Sequence, residues 1–220
     1  MELFEAVLTR SSKRDFKDIP VPLDLIDKIL TASLRAPSWS NSQPWEIAVS
    51  TGKTSDFIKQ RIYKRASEDD PGSPDFPFPI SWPEKQITNI LEAGKHRYES
   101  LGISRDDGAK RKEVALYNYV FFGSQTAIFI YIDEDLGHWS VLDCGMLAQN
   151  ILLCVHASGL GACPQAYLVR YPDILREAFK LPKRKRFILG ISIGFYKKDS
   201  IINNIKTSRV KLKDAVTYYD

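Results

Sequence analysis

Residues Arg35 to Ile47 read RAPSWSNSQPWEI and join a helical pattern on one side to a strand pattern on the other. The connection holds two prolines, three serines, an asparagine, a glutamine and two tryptophans. Loops carry backbone groups to water, and aromatic side chains within them need a surface to lie against. What that surface is decides how the chain is read.

Outward from this loop, the pattern alternates helices with few strands. Leu3, Phe4, Val7 and Leu8 recur at helical spacing and stop at Arg10-Ser11-Ser12. Pro22 opens a second helix with Leu23, Ile26, Ile29, Leu30 and Leu34 on one face. Trp45, Ile47 and Val49 alternate with polar or small residues as in a half-buried strand, and Ser55 to Arg65 returns as a helix. Ala127 to Ile132 reads as a strand. Trp139 to Ala157 is helical and apolar almost all round, which predicts burial on every side, part of it by a second subunit. A strand near Gln165 to Val169, a helix after Pro172 and a strand from Phe187 to Phe195 precede a polar tail. The order is not a regular βαβ winding, so the expected class is α+β.

With 220 residues and no visible linker, one domain over residues 1–220 is expected. Within it, residues 68–108 change character. The stretch DDPGSPDFPFPISWP holds five of the 12 prolines, and a polar helix pattern from Glu84 to Ser100 follows. Long excursions of this kind are commonly lids or binding segments, so a mobile cover is expected here.

Composition narrows the functional classes. A 44% hydrophobic, 26% charged chain is ordinary for a globular protein, and its apolar runs are too interrupted to suggest a membrane span. The N-terminus lacks a signal-peptide pattern, so a cytoplasmic location is expected. Cys144, Cys154 and Cys163 show no paired spacing, and His96, His138 and His156 are scattered, so neither a disulfide framework nor a metal site is expected. A net charge of +4 and the single run Lys183-Arg184-Lys185-Arg186 read as a solvated loop rather than a nucleic-acid patch. Ser50-Thr51-Gly52-Lys53-Thr54 has Ile47 where a P-loop needs its first glycine. Gly159-Leu160-Gly161 has Pro164 where a dinucleotide fingerprint needs one.

Other segments suit a bound anion and a flat ring. Arg10-Ser11-Ser12-Lys13-Arg14 gathers three cations and two hydroxyls, and Arg209 stands in the polar tail. A guanidinium matches phosphate with two parallel hydrogen bonds. Pro37, Ser38, Asn41 and Gln43 offer hydroxyl and amide groups to a heterocycle, and Gly159 to Gln165 offers a narrow backbone bend.

These segments, Ala36-Pro-Ser-x-x-Asn-Ser-Gln-Pro-Trp45, Asp143-x-Gly-x-x-x-Gln-Asn150 and Gly159-Leu-Gly161 together resemble the FMN-dependent nitroreductases, in order and over nearly the whole chain. Trp82-Pro83, Asn118-Tyr-x-Phe-Phe-Gly123 and Cys163-Pro-Gln165 look most like the nitrobenzoate and nitroaromatic branch. The resemblance implies a mixed central sheet flanked by helices, and an intertwined homodimer with FMN at the interface. It implies ping-pong, two-electron reduction of a small aromatic nitro compound at the expense of NADH or NADPH. By matching motif, Arg10, Ser11, Ser12, Arg14 and Arg209 would hold the phosphate, ribityl chain and pyrimidine edge. Pro37, Ser38, Ser40, Asn41 and Gln43 would reach in from the partner, and Ala162, Cys163 and Pro164 would back the ring. Trp39 departs from the small residue expected there. Tyr117, Phe121 and Phe122 are candidates for the substrate wall and Trp82 and His96 for its rim, with ordinary core packing the alternative for each aromatic. Reduction of quinones or enones, dehalogenation, and flavin binding without turnover stay open as alternatives.

Overall fold

In the computed structural model, which describes all 220 residues, four strands form one sheet in the order β1-β2-β4-β3. The strands are β1 (Glu46–Ser50), β2 (Thr126–Asp133), β3 (Gly161–Gln165) and β4 (Lys185–Gly194), and every neighbouring pair is antiparallel. One parallel bridge, Ser12 to Ala162, adds the N-terminal segment and makes the pairing mixed.

The sequence of β2, TAIFIYID, explains the layering. Its side chains are apolar on both faces, as in a strand covered on two sides. Ile128, Ile130 and Ile132 face a core built with Ile26 and Ile29 of α2 (Leu23–Ser33) and Leu147 and Ile151 of α6 (His138–Ala157). Ala127, Phe129 and Tyr131 face the other way, toward Ile58 and Ile62 of α3 (Gly52–Ser67) and Ile174 and Leu175 of α7 (Pro172–Phe179). Gly190 of β4 is required by this packing, because a Cβ there would lie 2.6 Å from the Cβ of Leu168.

Several expectations change. The strand near Gln165 to Val169 is displaced: β3 ends at Gln165, and Ala166–Val169 is a 3-10 turn. Leu168 packs over Gly190 of β4, and both Leu168 and Val169 join the core shared with α3 and α7. In α6, Cys144, Leu147, Ile151 and Val155 pack inward, whereas Trp139 and Leu142 are 62% and 54% exposed, so one chain covers only part of that helix. The same holds for α1 (Leu3–Thr9), where Leu3, Phe4, Val7 and Leu8 all face outward. The run from Lys183 to Arg186 is more engaged than a solvated loop. Arg184 pairs with Asp133 and Asp135, and Lys185 pairs with Glu46 and Asp133. These partners, the Arg184 hydrogen bond foremost, hold the Asp133 carboxyl down at about 2.

The excursion is not uniformly loose. Tyr171 donates its hydroxyl to the Asp70 carbonyl at 2.8 Å, and Arg170 Nε donates to the Pro71 carbonyl at 2.7 Å. The Asp75 carboxylate accepts from Arg176 Nη2 at 2.5 Å and from the Phe187 amide at 2.8 Å. By contrast, the following helices α4 (Glu84–Ser100) and α5 (Gly108–Leu116) contain no buried residue. Completing the chain, α8 (Ile201–Asn204) opens the polar tail. Because Asp75 ties the excursion to both α7 and β4, Asp75→Ala is expected to lower the unfolding free energy by about 3 kcal/mol, the scale for breaking a buried ion pair. Urea denaturation followed by far-UV circular dichroism measures it.

Candidate active site

The loop after α2 is held under backbone strain. Ser40, Asn41 and Gln43 have φ of 49°, 57° and 46°, the left-handed region that L side chains occupy rarely and that clusters at functional sites. What keeps it there is Asp143, 3% exposed on α6, whose two carboxylate oxygens accept from the Trp39 amide at 3.3 and 3.2 Å. Ser38 Oγ accepts from the Gln43 amide at 2.9 Å, and Asn150 Nδ2 of α6 donates to the Ser33 carbonyl at 3.2 Å. The Trp39 and Trp139 rings meet edge to face with centroids 4.9 Å apart. The helix α6 therefore sets the loop's shape, while Pro37, Ser40, Asn41 and Gln43 remain exposed and Ser38 half-buried. Apart from the contacts to Asp143 and within the loop, these residues make no side-chain hydrogen bond to their own chain.

The cations gather elsewhere, along β3. The Lys13 amide donates to the Ala162 carbonyl at 2.9 Å, extending the bridge at Ser12. Asn203, 1% exposed on α8, locks the next residues: its Oδ1 accepts from the Arg14 amide at 2.6 Å, and its Nδ2 donates to the Asp15 carbonyl at 2.7 Å. Lys13 Nζ donates to the Asn203 carbonyl at 2.9 Å and stands 4.8 Å from the centroid of the Tyr196 ring. Gly161 is needed beneath them, since a Cβ would lie 2.8 Å from Lys13 Cγ.

Four arginines converge here. Arg10 is held below its ordinary pKa by burial first and then by the charge of Arg209, with Arg14 adding to the effect. Arg97, near the end of α4, is lowered by burial first and then by the charge of Arg14. Cys163, 1% exposed in β3, is pushed up by burial, while Arg14, Arg97 and Arg10 pull it the other way. None of the four arginines has a carboxylate within ion-pair distance. A groove of about 790 Å³ runs between Lys85, Asn89 and Ala93 of α4 and Thr207 to Lys211 of the tail, with Arg209 in its wall. That groove also holds Glu92 and Asp214, whereas Arg10, Arg14 and Arg97 lie outside its lining, and it is the guanidinium groups gathered beside Cys163 of β3 that suit a phosphate-bearing molecule such as FMN.

The other sequence candidates divide. Ser11 and Ser12 lie with Arg10 and Arg14 in the half-buried segment beside β3, and Ala162 and Cys163 are buried within that strand with Pro164 half-buried. Tyr117 is half-buried and shares a cavity lining with Arg14. Phe121 and Phe122 are corrected: at 0% and 2% exposure they are core residues. Phe121 stacks toward Phe129 with centroids 6.1 Å apart, and Phe122 packs with Phe16 and Cys163. Trp82 and His96 are exposed and do not line the α4 groove. Arg97 of α4, not named among the sequence candidates, brings the excursion to the cations: its charge is felt together with that of Arg14. The sequence signal was available: Lys85, Asn89, Ala93 and Arg97 recur every four residues, so they share one helix face. Asn203 carried no such signal.

The arginines without carboxylate partners thus lie beside the edge strand of a three-layer α+β fold. The family model for the nitroreductase family matches residues 7–195, and the chain belongs to that family. It is 28% identical over 207 residues to a 4-nitrobenzoate reductase of Pseudomonas putida, covering 94% of this chain and 91% of that one. It is 52% identical over 192 residues to an NADH dehydrogenase of Thermus thermophilus, covering 86% and 84%. The solved structure of the FMN and NADPH-dependent nitroreductase NfnB from Sphigopyxis sp. strain HMH superposes with a TM-score of 0.96 at 28% identity, covering all of both chains.

Asp143→Ala leaves the Trp39 amide without its buried acceptor. The expected cost is about 2 kcal/mol, from the lost charge-assisted hydrogen bond. Faster amide hydrogen exchange confined to residues 38–43, at a rate unchanged in the β2 core, identifies the loop as the part released.

Proposed function

We propose that this chain is an FMN-dependent NAD(P)H oxidoreductase that reduces nitroaromatic compounds. The observation that carries the reading is the set of four arginines without an ion-pair partner, three of which act on Cys163 of β3. The relatives' names agree: one is called a nitrobenzoate reductase, another an NADH dehydrogenase, and the solved structure is described as FMN and NADPH-dependent. Both nicotinamide donors are therefore retained.

Bound FMN would supply the two-electron redox chemistry. The chain's own residues bind and orient. Arg10 and Arg209, with the hydroxyls of Ser11 and Ser12, would take the phosphate and ribityl chain. Arg14 and Arg97 would face the pyrimidine edge, where fixed cations stabilise developing negative charge without reorganisation. The Ala162, Cys163 and Pro164 strand would back the ring. Tyr117 would form a substrate wall, with Trp82 and His96 at the rim of the α4 cover.

A second copy completes the assignment. Pro37, Ser38, Ser40, Asn41 and Gln43 are shaped by their own α6 but find nothing to hold in their own chain. Leu3, Phe4, Leu8, Trp139, Leu142, Tyr218 and Tyr219 leave large apolar surfaces open. Exposed patches of this kind mark interfaces, so a homodimer with the loop reaching the partner's cation site is the arrangement proposed.

The purified protein is expected to be yellow, to bleach with NADPH or NADH in the absence of oxygen, and to regain colour when a nitroarene is added. Protein that binds FMN but stays oxidised with both donors would contradict the enzyme reading. Arg209→Gln is expected to weaken FMN by roughly 1.5–3 kcal/mol, the range for a hydrogen bond to a charged group, as read by fluorescence titration of released flavin. Sedimentation at micromolar concentration should give a dimer, and a flavin-loaded monomer there would refute the shared site.

A further inference from the structure

Helix α1 buries one residue, Ala6, and turns Leu3, Phe4, Val7 and Leu8 outward, so little apolar packing holds it to its own chain. Its one side-chain hydrogen bond to another element joins Thr9 Oγ1 to His156 Nε2 of α6 at 2.8 Å. Arg10 follows Thr9 directly, and its amide closes the helix on the Ala6 carbonyl at 3.0 Å. The contact between Thr9 and His156 thus fixes the turn from which the first cation of the site departs.

The proton in that contact can be assigned. A threonine hydroxyl has one proton, and that of Thr9 goes to the Glu5 carbonyl at 2.7 Å. The imidazole is therefore the donor, with Nε2–H aimed at Thr9 Oγ1. In the neutral ring this leaves Nδ1 bare, and Nδ1 has no hydrogen-bond partner in the chain. A second proton has one place to go, and taking it up leaves the bond to Thr9 intact. The ring can gain charge without releasing α1.

The charges that face the ring come from three places. Arg10 and Lys13 belong to the segment after α1, Glu5 to α1 itself, and the last turn of α6 adds its carbonyls, beside which a cation is favoured. Burial first, then Lys13 and Arg10, hold the His156 pKa below its ordinary value, while Glu5 acts the other way. A phosphate group on Arg10 would offset the two charges that oppose the imidazolium.

We propose that His156 is a positioning residue of the phosphate site: through Thr9 it holds Arg10 in place, and its Nδ1 takes a proton from water when a phosphate group settles on Arg10. Anion and proton then strengthen each other's binding, because coupling between two sites is reciprocal. Affinity for the anion accordingly rises as pH falls through the His156 pKa, and is lowest where the ring is neutral with and without the anion. That the phosphate belongs to FMN rests on the flavin reading, whereas the coupling of His156 to the Arg10 site does not.

The chain has only three histidines, His96, His138 and His156, so the ring is readable by NMR. With the protein saturated by FMN, the His156 pKa should be higher by at least about 0.5 than with riboflavin, which carries the same ring and no phosphate. Such a rise corresponds to about threefold in affinity between the protonated and neutral limits. His156→Gln still donates to Thr9 but does not titrate. The ratio of wild-type to His156→Gln affinity for FMN, in which the phosphate's own proton cancels, should therefore be at least about twofold larger at about pH 5.5 than at about pH 8. His156→Leu, which cannot donate, should weaken FMN about threefold at the higher pH, with the glutamine variant restoring most of the loss. Thr9→Val removes the acceptor instead and serves the same purpose should the leucine variant fold poorly. An equal His156 pKa with FMN and riboflavin, or an affinity ratio independent of pH, overturns the coupling. Wild-type affinity in both His156→Leu and Thr9→Val overturns the positioning role. Protein that takes up neither flavin overturns the flavin reading, and the same NMR comparison with and without inorganic phosphate then decides the coupling.

Discussion

Partial burial of Arg10 and Arg97 near the further cations Arg14 and Arg209, with no carboxylate to pair them, is the constraint on which the candidate site depends. Cations brought together with partial burial and no carboxylate raise the energy of the folded chain, and that energy is recovered only when an anion enters. Each arginine arrives on a different element: the end of α1, the segment bridged to β3, the last turns of α4, and the C-terminal tail. The scaffold has to overcome their repulsion with contacts that are themselves uncharged or internally satisfied. Asn203 is the clearest of these, holding the Arg14 and Asp15 backbone through a buried amide whose oxygen and nitrogen are both used. A carboxylate in its place would have paired with the arginines and competed with the ligand.

The same economy appears on α6. Asp143 is buried and charged, and it lies on the loop side of the helix, where it satisfies a backbone amide and fixes three left-handed residues. Strain of this sort is sustained only when the surroundings over-determine it. Here the determinants are the carboxylate, the Ser38 hydroxyl and the edge-to-face tryptophans, all of which act from the loop's own chain. The loop's shape is thus set from within its own chain, with its amide and hydroxyl groups largely facing solvent.

How much of this was legible in the sequence follows from the physics of each segment. The Arg10 to Arg14 run and the Arg35 to Ile47 loop announce themselves because anion recognition and backbone strain demand unusual residues close together. The β2 strand was legible for a similar reason, its apolar run being bounded by polar turns. Arg97 was missed because the excursion was read by its composition, and composition hides a stripe spaced at four residues. Phe121 and Phe122 were over-read. Aromatic residues next to a ligand and aromatic residues in a core satisfy the same hydrophobic requirement, and only the fold, which gives Phe121 and Phe122 positive φ and turns both rings inward, separates the cases. Asn203 and the anchoring role of Asp75 depend on partners more than 100 residues away, which no local pattern reports.

The division of residues 68–108 into an anchored start and an unburied helix bears on how the site works. Asp70 and Asp75 tie the proline-rich stretch to α7 and β4, so α4 departs from a fixed point. From there on α4 buries no side chain, and its contacts with the rest of the chain are thin, such as Lys85 Nζ to the Asp214 carbonyl at 3.2 Å and the Tyr98 ring against Arg111. Segments with little buried apolar area sit at the low-stability end of a structure and open most readily. Because α4 carries Arg97 toward Arg14, like charge opposes its position against the rest of the chain. On the proposed reading, an anion held between these cations would offset that opposition, so anion binding and the placement of α4 would draw on the same free energy.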